Sequence, residues 1–279
     1  MVVIRDVITH SEYREVEELQ KEVWVCEERD IVPLSQLISA KETGGVLLGA
    51  FNGSTLMGFV YGFVGYEEDE VVVHSHLLAV RPEFVGHNLG YRLKLAQRDQ
   101  TLSKGIRIIT WTFDPLQSLN AHLNIEKLGV IGVGYRIDFY GETSSSLHRD
   151  IGTDRLWAKW ELDSERVRQR LECVRKSCSD PRGNTRLVRA GGDGRPVRVD
   201  SPFRSSQNLV IEVPGNIGSF QQDQPELGAE WRQVTREAFL NAFSSGYVVT
   251  GYCRGEAPSG TLGAYILTAP SSLSHKNRS

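Results

Sequence analysis

The sequence predicts an α/β (α+β) protein built on a mixed sheet with helices on both faces. Three observations carry that expectation. Residues 1–162 read in the order β-α-α-β-β-β-α-β-α-β-β. Hairpin signals come first and crossover helices later, which requires both antiparallel and parallel pairing. And Leu77-Leu78-Ala79-Val80-Arg81-Pro82-Glu83-Phe84-Val85-Gly86-His87-Asn88-Leu89-Gly90 reads as strand, proline-marked turn, glycine-rich loop and helix start.

Each element has a local cause. Val2 to Ile8 alternates weakly and predicts a first strand. Thr9 and Glu12 have capping-box spacing and open a helix through Trp24, with Val16, Leu19 and Val23 at helical spacing. Pro33 starts a short helix toward Ser39, and Gly44-Gly45 breaks it. Val46 to Phe51 and Leu56 to Val64 predict strands joined at Asn52-Gly53, a hairpin signal. The acidic turn at 67–70 leads to a strand over Val71 to Val80. A helix follows from Leu89 to Ser103, striped by Leu89, Leu93 and Ala96 and ended by Gly105. Ile106 to Phe113 is a short apolar strand. Asp114-Pro115 has the pattern of a helix N-cap with proline at the first helical position, and that helix runs to Leu128. Val130 to Tyr140 and Arg155 to Leu162 close this unit as strands.

The texture changes after Leu162. A charged helix (163–175) leads into a Gly-, Arg-, Ser- and Pro-rich stretch that reads as a solvated connector or irregular hairpin, with an anion-binding arm as the sharper alternative. A strand at 209–213, a helix at 226–244 and a strand pair at 247–253 and 262–268 then form a smaller C-terminal β-α-β-β region that echoes the opening element order. The expected division is 1–162, a connector at 163–208, a small α/β region at 209–269 and a disordered tail at 270–279.

A chain of 279 residues that is 40% hydrophobic and 24% charged has the makeup of an ordinary folded protein. A net charge of -3 argues against a nucleic-acid partner. No apolar run is long enough to span a bilayer, and Met1 runs into Val2-Val3-Ile4 with no secretory pattern, so the expected location is cytoplasmic. Cys26, Cys173, Cys178 and Cys253 show no zinc spacing and read as buried or idle thiols in a reducing cytosol, with a Cys173–Cys178 bridge as the alternative in an oxidising compartment. No metal is expected.

The loop carries the chemistry. Gly86 and Gly90 let an anion approach the backbone closely, and the N–H groups of His87, Asn88, Leu89, Gly90 and Tyr91 face a helix N-terminus. A phosphorylated cofactor fits such a bend. Arg81, Arg92, Lys94 and Arg98 lie nearby, most of them expected on the wet face of the helix. A nucleotide-binding protein would need an acidic ribose partner about twenty residues past the loop, and 106–111 offers none.

On these residues the chain resembles the GNAT superfamily of CoA-dependent N-acyltransferases. The family's loop reads Gln/Arg-x-x-Gly-x-Gly/Ala; here Val85, Asn88 and Gly90 fall at its named positions, and Gly90 matches. Asn88 tolerates the left-handed turn that the middle glycine would make. The stretches from Gly90 to Arg98, Trp111 to Leu116 and Asn120 to Gly129 resemble a GNAT branch with a C-terminal extension, some of whose members are thought to be N-succinyltransferases acting on amino acids.

The resemblance implies a GNAT-like sheet in which the strand ending at Val80 splays from the one starting at Ile106. Pantetheine of acetyl-CoA, or of another acyl-CoA such as succinyl-CoA, would line the gap along Leu78, Ala79 and Val80. The pyrophosphate would sit on Gly86 to Tyr91, and Asn120 would reach the CoA arm. The acceptor would be a small-molecule amine, an amino acid among the candidates, with a homodimer left open. His76 is the favoured base and His74 the second, because both share strand parity with Leu78 and Val80. The family's thiolate-protonating tyrosine corresponds to Ile125, so the proton would come from Tyr135, Tyr140 or a water, or the thiolate would leave unprotonated. The alternative function is a CoA-binding sensor or interaction module with little turnover.

Overall fold

The computed structural model describes residues 1–25, 27–141, 152–172, 183–200, 206–218, 220, 224–257 and 260–269. Cys26, Cys173, Cys178, the 270–279 segment and part of the Arg-rich stretch lie outside them. The described chain forms two compact units, one of Met1–Trp111 with Trp160–Ser164, the other of 112–141, 152–159 and most of the remainder.

The first unit holds β1 (Val2–Asp6), α1 (His10–Trp24), α2 (Leu34–Glu42), β2 (Val46–Asn52), β3 (Thr55–Glu67), β4 (Glu70–Val80), α3 (Leu89–Ser103) and the start of β5 (Ile108–Phe113). Strands β1, β2, β3 and β4 pair antiparallel in that order, and β5 runs parallel to β4. The sheet is therefore mixed, as the element order requires. Both of its faces are covered. Val16 and Leu19 of α1 and Leu37 of α2 pack with Leu47, Phe59 and Tyr61 on one face. Leu89 and Leu93 of α3 pack with Val46, Leu48 and Val60 on the other. Strand β2 is buried from Val46 through Phe51 because alternate side chains enter the two cores.

Local signals set the boundaries. The Thr9 hydroxyl accepts from Glu12 N–H at 3.2 Å and Glu12 Oε2 accepts from Thr9 N–H at 3.1 Å, the reciprocal bonds of the expected capping box. Helix α2 has no side-chain cap of its own; Glu17 of α1 accepts its Leu34 N–H at 2.6 Å. The first hairpin differs from expectation by one residue. Asn52 pairs with Thr55, so the two-residue loop is Gly53-Ser54, and a positive φ falls at Gly53 only, as a type II′ turn demands. The next turn, Glu68-Asp69, has positive φ at both positions, the pattern of type I′.

The second unit holds the end of β5, α4 (Ser118–Ala121) running into a π-helical turn at His122–Lys127, β6 (Ile131–Arg136), β7 (Arg155–Glu161), α5 (Glu165–Leu171), β8 (Thr185–Ala190), β9 (Pro196–Arg198), β10 (Asn208–Pro214), α6 (Pro225–Ser244), β11 (Val248–Ala257) and β12 (Gly260–Thr268). Its strands lie in the order β7-β6-β11-β12-β10-β8-β9. Strand β10 pairs with β12, whereas β1 pairs with β2, so the echo of the opening order does not extend to strand neighbours. The Arg-rich stretch includes the β8–β9 hairpin, and among the described residues three of its arginines pair with glutamates: Arg186 with Glu212, Arg195 with Glu230 and Arg198 with Glu237.

Two further expectations are corrected. The helix after β5 starts at Ser118, not at Pro115, because both Asp114 oxygens are committed elsewhere. Oδ1 accepts the Leu116 N–H at 2.9 Å in a tight turn, and the two oxygens meet Arg232 at 2.7 and 2.8 Å. Cys253, in β11, is disulfide-bonded rather than an idle thiol. A bridge needs two Cα atoms within roughly 7 Å, a condition that tertiary packing decides and spacing along the chain does not.

Candidate functional site

The site begins where β4 parts from β5. Their ladder holds two rungs, Val73 with Ile109 and His74 with Thr110. Beyond His74, β4 continues to Val80 with β3 alone among the described residues. Which of its groups reach the open edge follows from one bond. Arg81 N–H donates to Met57 C=O at 2.9 Å. Opposed residues of an antiparallel pair alternate between bonded and non-bonded. Ala79–Phe59 and Leu77–Tyr61 are therefore the bonded pairs, and the N–H and C=O of Leu78 and Val80 turn to the edge away from β3. Ala79 keeps its backbone on β3 and buries its side chain beneath α1 and α2.

The strand is not regular. Tyr61 pairs with Leu77 but Gly62 pairs with Ser75, so His76 is an extra residue, a bulge. That corrects the parity expectation. His74 opposes Phe63, and the His76 ring meets Tyr61 at 6.2 Å and Phe63 at 5.9 Å between centroids. Both histidines thus lie on the α1–α2 face with Leu77, while Leu78 and Val80 lie on the α3 face. One extra residue reverses the side on which every later side chain falls.

The histidine pair is poised as neutral imidazole. Burial, then the neighbouring charges of His76 and Lys94, lowers His74 to about 4. Burial also lowers His76. His74 Nδ1 lies 3.1 Å from Thr110 Oγ1, and Thr110 Oγ1 donates to Glu67 Oε1 at 2.8 Å. A hydroxyl has one proton, and here the carboxylate takes it. Thr110 must then accept from His74 Nδ1–H, which assigns the ring its Nδ1–H tautomer and leaves the basic lone pair on Nε2. Glu67 itself stands 3.9 Å from Nδ1, so its influence passes through Thr110.

The bend after β4 is exposed from Val85 to Asn88. A single 3₁₀ turn, Pro82–Phe84, ends the strand, Gly86 takes φ +93°, and Asn88 caps α3 in the left-handed region at φ 60°. A Cβ at Gly86 would meet nothing within 4 Å. Not every amide is available: His87 N–H turns back to Phe84 C=O at 3.5 Å, a correction to the open run expected from His87 to Tyr91. Among the described residues, no hydrogen bond uses the N–H of Gly86, Asn88, Leu89 or Gly90. Leu89 and Gly90 open the helix, where donors have no partner in the preceding turn. Gly90 abuts the Leu78 side chain, since a Cβ there would lie 3.7 Å from its Cδ2.

The cations divide differently from expectation. Arg81 is tied to Glu22 and to Leu56 C=O, Arg92 reaches Val2 C=O at 3.1 Å, and Arg98 reaches Leu162 C=O at 2.8 Å. Lys94 is not on the wet face but 3% exposed, and sequence reasoning missed it as a buried charge. The signal was present: Lys94 follows Leu93, on the edge of the apolar stripe.

Asn120 and Tyr140 belong to the second unit. Asn120 is exposed on α4. Tyr140 is half exposed in a turn beyond β6, with its hydroxyl 3.2 Å from Thr112 Oγ1 and the Arg155 guanidinium 5.1 Å from its ring. Tyr135 is buried, donates to Asp154 at 2.6 Å and is held far above its ordinary range, first by burial, so its proton is committed. Ile125 is fully buried. Among the described residues, no group of three or more His, Cys, Asp or Glu side chains gathers for a metal.

No family model matches the chain, and no curated protein does. Solved structures do resemble it. The ribosomal-protein-S18-alanine N-acetyltransferase of Escherichia coli is 14% identical, over 59% of this chain and 96% of that one, with a TM-score of 0.45. An aminoglycoside 6'-acetyltransferase type Ii is 17% identical, over 58% and 99%, at 0.46. The PaiA N-acetyltransferase of Thermoplasma acidophilum, in complex with coenzyme A, is 15% identical, over 58% and 99%, at 0.41.

Proposed function

We propose that this protein is an acyl-CoA-dependent N-acyltransferase that acylates the amine of a small molecule. One observation carries the reading. The edge of β4 left open past His74 leads directly into a bend of unengaged amides at the start of α3. Open strand edges bind extended amide chains, and helix N-termini bind phosphates. Pantetheine followed by a pyrophosphate has both features in that order. Acyl-CoA supplies a thioester carbonyl and a thiolate leaving group.

In this reading Leu78 and Val80 hold the pantetheine amides as a further strand, and the Leu78 N–H polarises the thioester carbonyl. Gly86, Asn88, Leu89 and Gly90 hold the pyrophosphate. His76 takes the amine proton as the new C–N bond forms and the C–S bond breaks. His74, with its Nδ1–H on Thr110, is the alternative acceptor through Nε2. Placing amine and thioester together supplies much of the rate. Asn120 as a contact of the CoA arm and Tyr140 as proton donor to the thiolate remain proposals.

A thiol-release assay tests this: acetyl-CoA and succinyl-CoA, each against a panel of amino acids and small amines. Release that depends on the amine supports transfer, and the better donor identifies the acyl group. Ile125, buried where the resemblance places the usual proton donor, favours a second reading, a CoA-binding sensor. CoA affinity without thiol release across the panel would select it, and no CoA affinity by calorimetry rejects both.

A further inference from the structure

Lys94 is a buried cation with an unusual set of partners. Its ammonium donates to Ser75 Oγ at 2.7 Å and to Gln97 Oε1 at 3.3 Å, and it stands 3.8 Å from the centre of the Trp111 ring. An ammonium has three donors, and these are three acceptors, one of them an aromatic face. Among the described residues no carboxylate stands among the contacts of Lys94, and burial alone shifts it. Ser75 in turn donates to Gln97 Oε1 at 2.9 Å.

The position of those partners gives the cluster a purpose. The last rung between β4 and β5 joins His74 to Thr110. Ser75 and Trp111 are the next residue on each strand, the first pair that fails to ladder. Lys94 therefore grips both arms of the fork at its apex, from α3, one helical turn beyond Gly90. A lysine held so deeply without a counter-ion costs stability, and a Leu or Met there would pack the same space without that cost.

We propose that Lys94 is a positioning residue: it fixes the point and angle at which β4 leaves β5, and so pre-shapes the Leu78–Val80 edge for its ligand. That the ligand is the pantetheine arm rests on the acyl-CoA reading. Pre-organised edges bind more tightly because less ordering remains to be done on binding.

The test compares wild type with Lys94→Met, which keeps the length and removes the charge. Residue-resolved amide exchange should show Leu77 and Ala79, the β4 amides bonded to β3, opening about tenfold faster in the variant, with β2 amides unchanged. CoA affinity by calorimetry should weaken by about tenfold. The melting temperature should not fall, which separates positioning from a merely structural role. Wild-type exchange at Leu77 and Ala79 in Lys94→Met overturns the proposal. If that variant does not fold, Ser75→Ala, which keeps the lysine but removes one arm of the grip, must speed the same two amides or the proposal fails. If wild type has no affinity for CoA, the functional reading falls, while the exchange comparison still decides what Lys94 does to the fork.

Discussion

His74 and Thr110 face each other across the last rung of the β4–β5 ladder, and His74 Nδ1 donates to Thr110 Oγ1 at 3.1 Å. Because Thr110 spends its own proton on Glu67, the histidine is held as the Nδ1–H tautomer. The bulge at the next histidine then turns His76 onto the same face. Two neutral imidazoles thus border the point where the strands part.

Thiol release should depend on this pair. His76→Gln should lower kcat by about a hundredfold while CoA affinity by calorimetry holds, the usual scale for losing a general base. Thr110→Val should lower kcat by about tenfold by freeing the His74 tautomer. Equal rates in wild type and both variants would remove the histidines from the reaction.

The pH response has a defined sign. His74 in the folded chain sits at about 4, below its ordinary 6.5, so the unfolded chain binds more protons between those values. Stability should therefore fall as pH drops from 6.5 toward 4. Activity should likewise keep its neutral base well below pH 6.5, and a pH–rate profile with an acid limb at or above 6.5 would contradict His74 as base.

Lys94 gives the opposite end of the range. Burial lowers it from 10.5 to about 7, so the unfolded chain binds more protons from pH 7 to 10.5 and stability should rise across that window. Lys94→Met should abolish that rise, a difference on the order of a few kcal/mol in denaturant titrations at the two ends. Parallel pH curves for the two proteins would show that the lysine is not desolvated.

In the bend, Asn88 holds φ 60°. Asn88→Gly should be tolerated or slightly stabilising, whereas Asn88→Val should cost about 1–2 kcal/mol, because a β-branched side chain crowds its own carbonyl there. Gly86→Val, at φ +93°, should behave like Asn88→Val and weaken CoA binding. Chemical denaturation and calorimetry check both.

The second unit has its own buried link. Asp114 and Arg232 form two bonds at 2.7 and 2.8 Å with both side chains almost wholly enclosed. Burial pushes Asp114 up, but Arg232 pulls it further down, and the carboxyl stays ionised. Arg232→Met should destabilise by about 3–5 kcal/mol because a bare carboxylate remains inside. Adding Asp114→Asn should recover much of that loss, measured by denaturant midpoint.

What the sequence determined by itself was local. The capping box at Thr9, the span of α3 from Leu89 to Ser103, the strands from Val46 to Val80 and the glycine bend were all legible, because each is set by residues within a turn or two of one another. Three positions were not. A bulge at His76 depends on how β3 and β4 register, which no spacing within β4 records, and it moved the histidines to the opposite face from Leu78. Lys94 looked like a surface cation until α3 was laid against Ser75 and Trp111, and Asp114 looked like a helix cap until Arg232, 118 residues away, arrived beside it. Hydrogen-bonded turns and periodic stripes close over short stretches of chain. The desolvation and charge pairing that give a side chain its chemistry come from whatever the fold brings next to it.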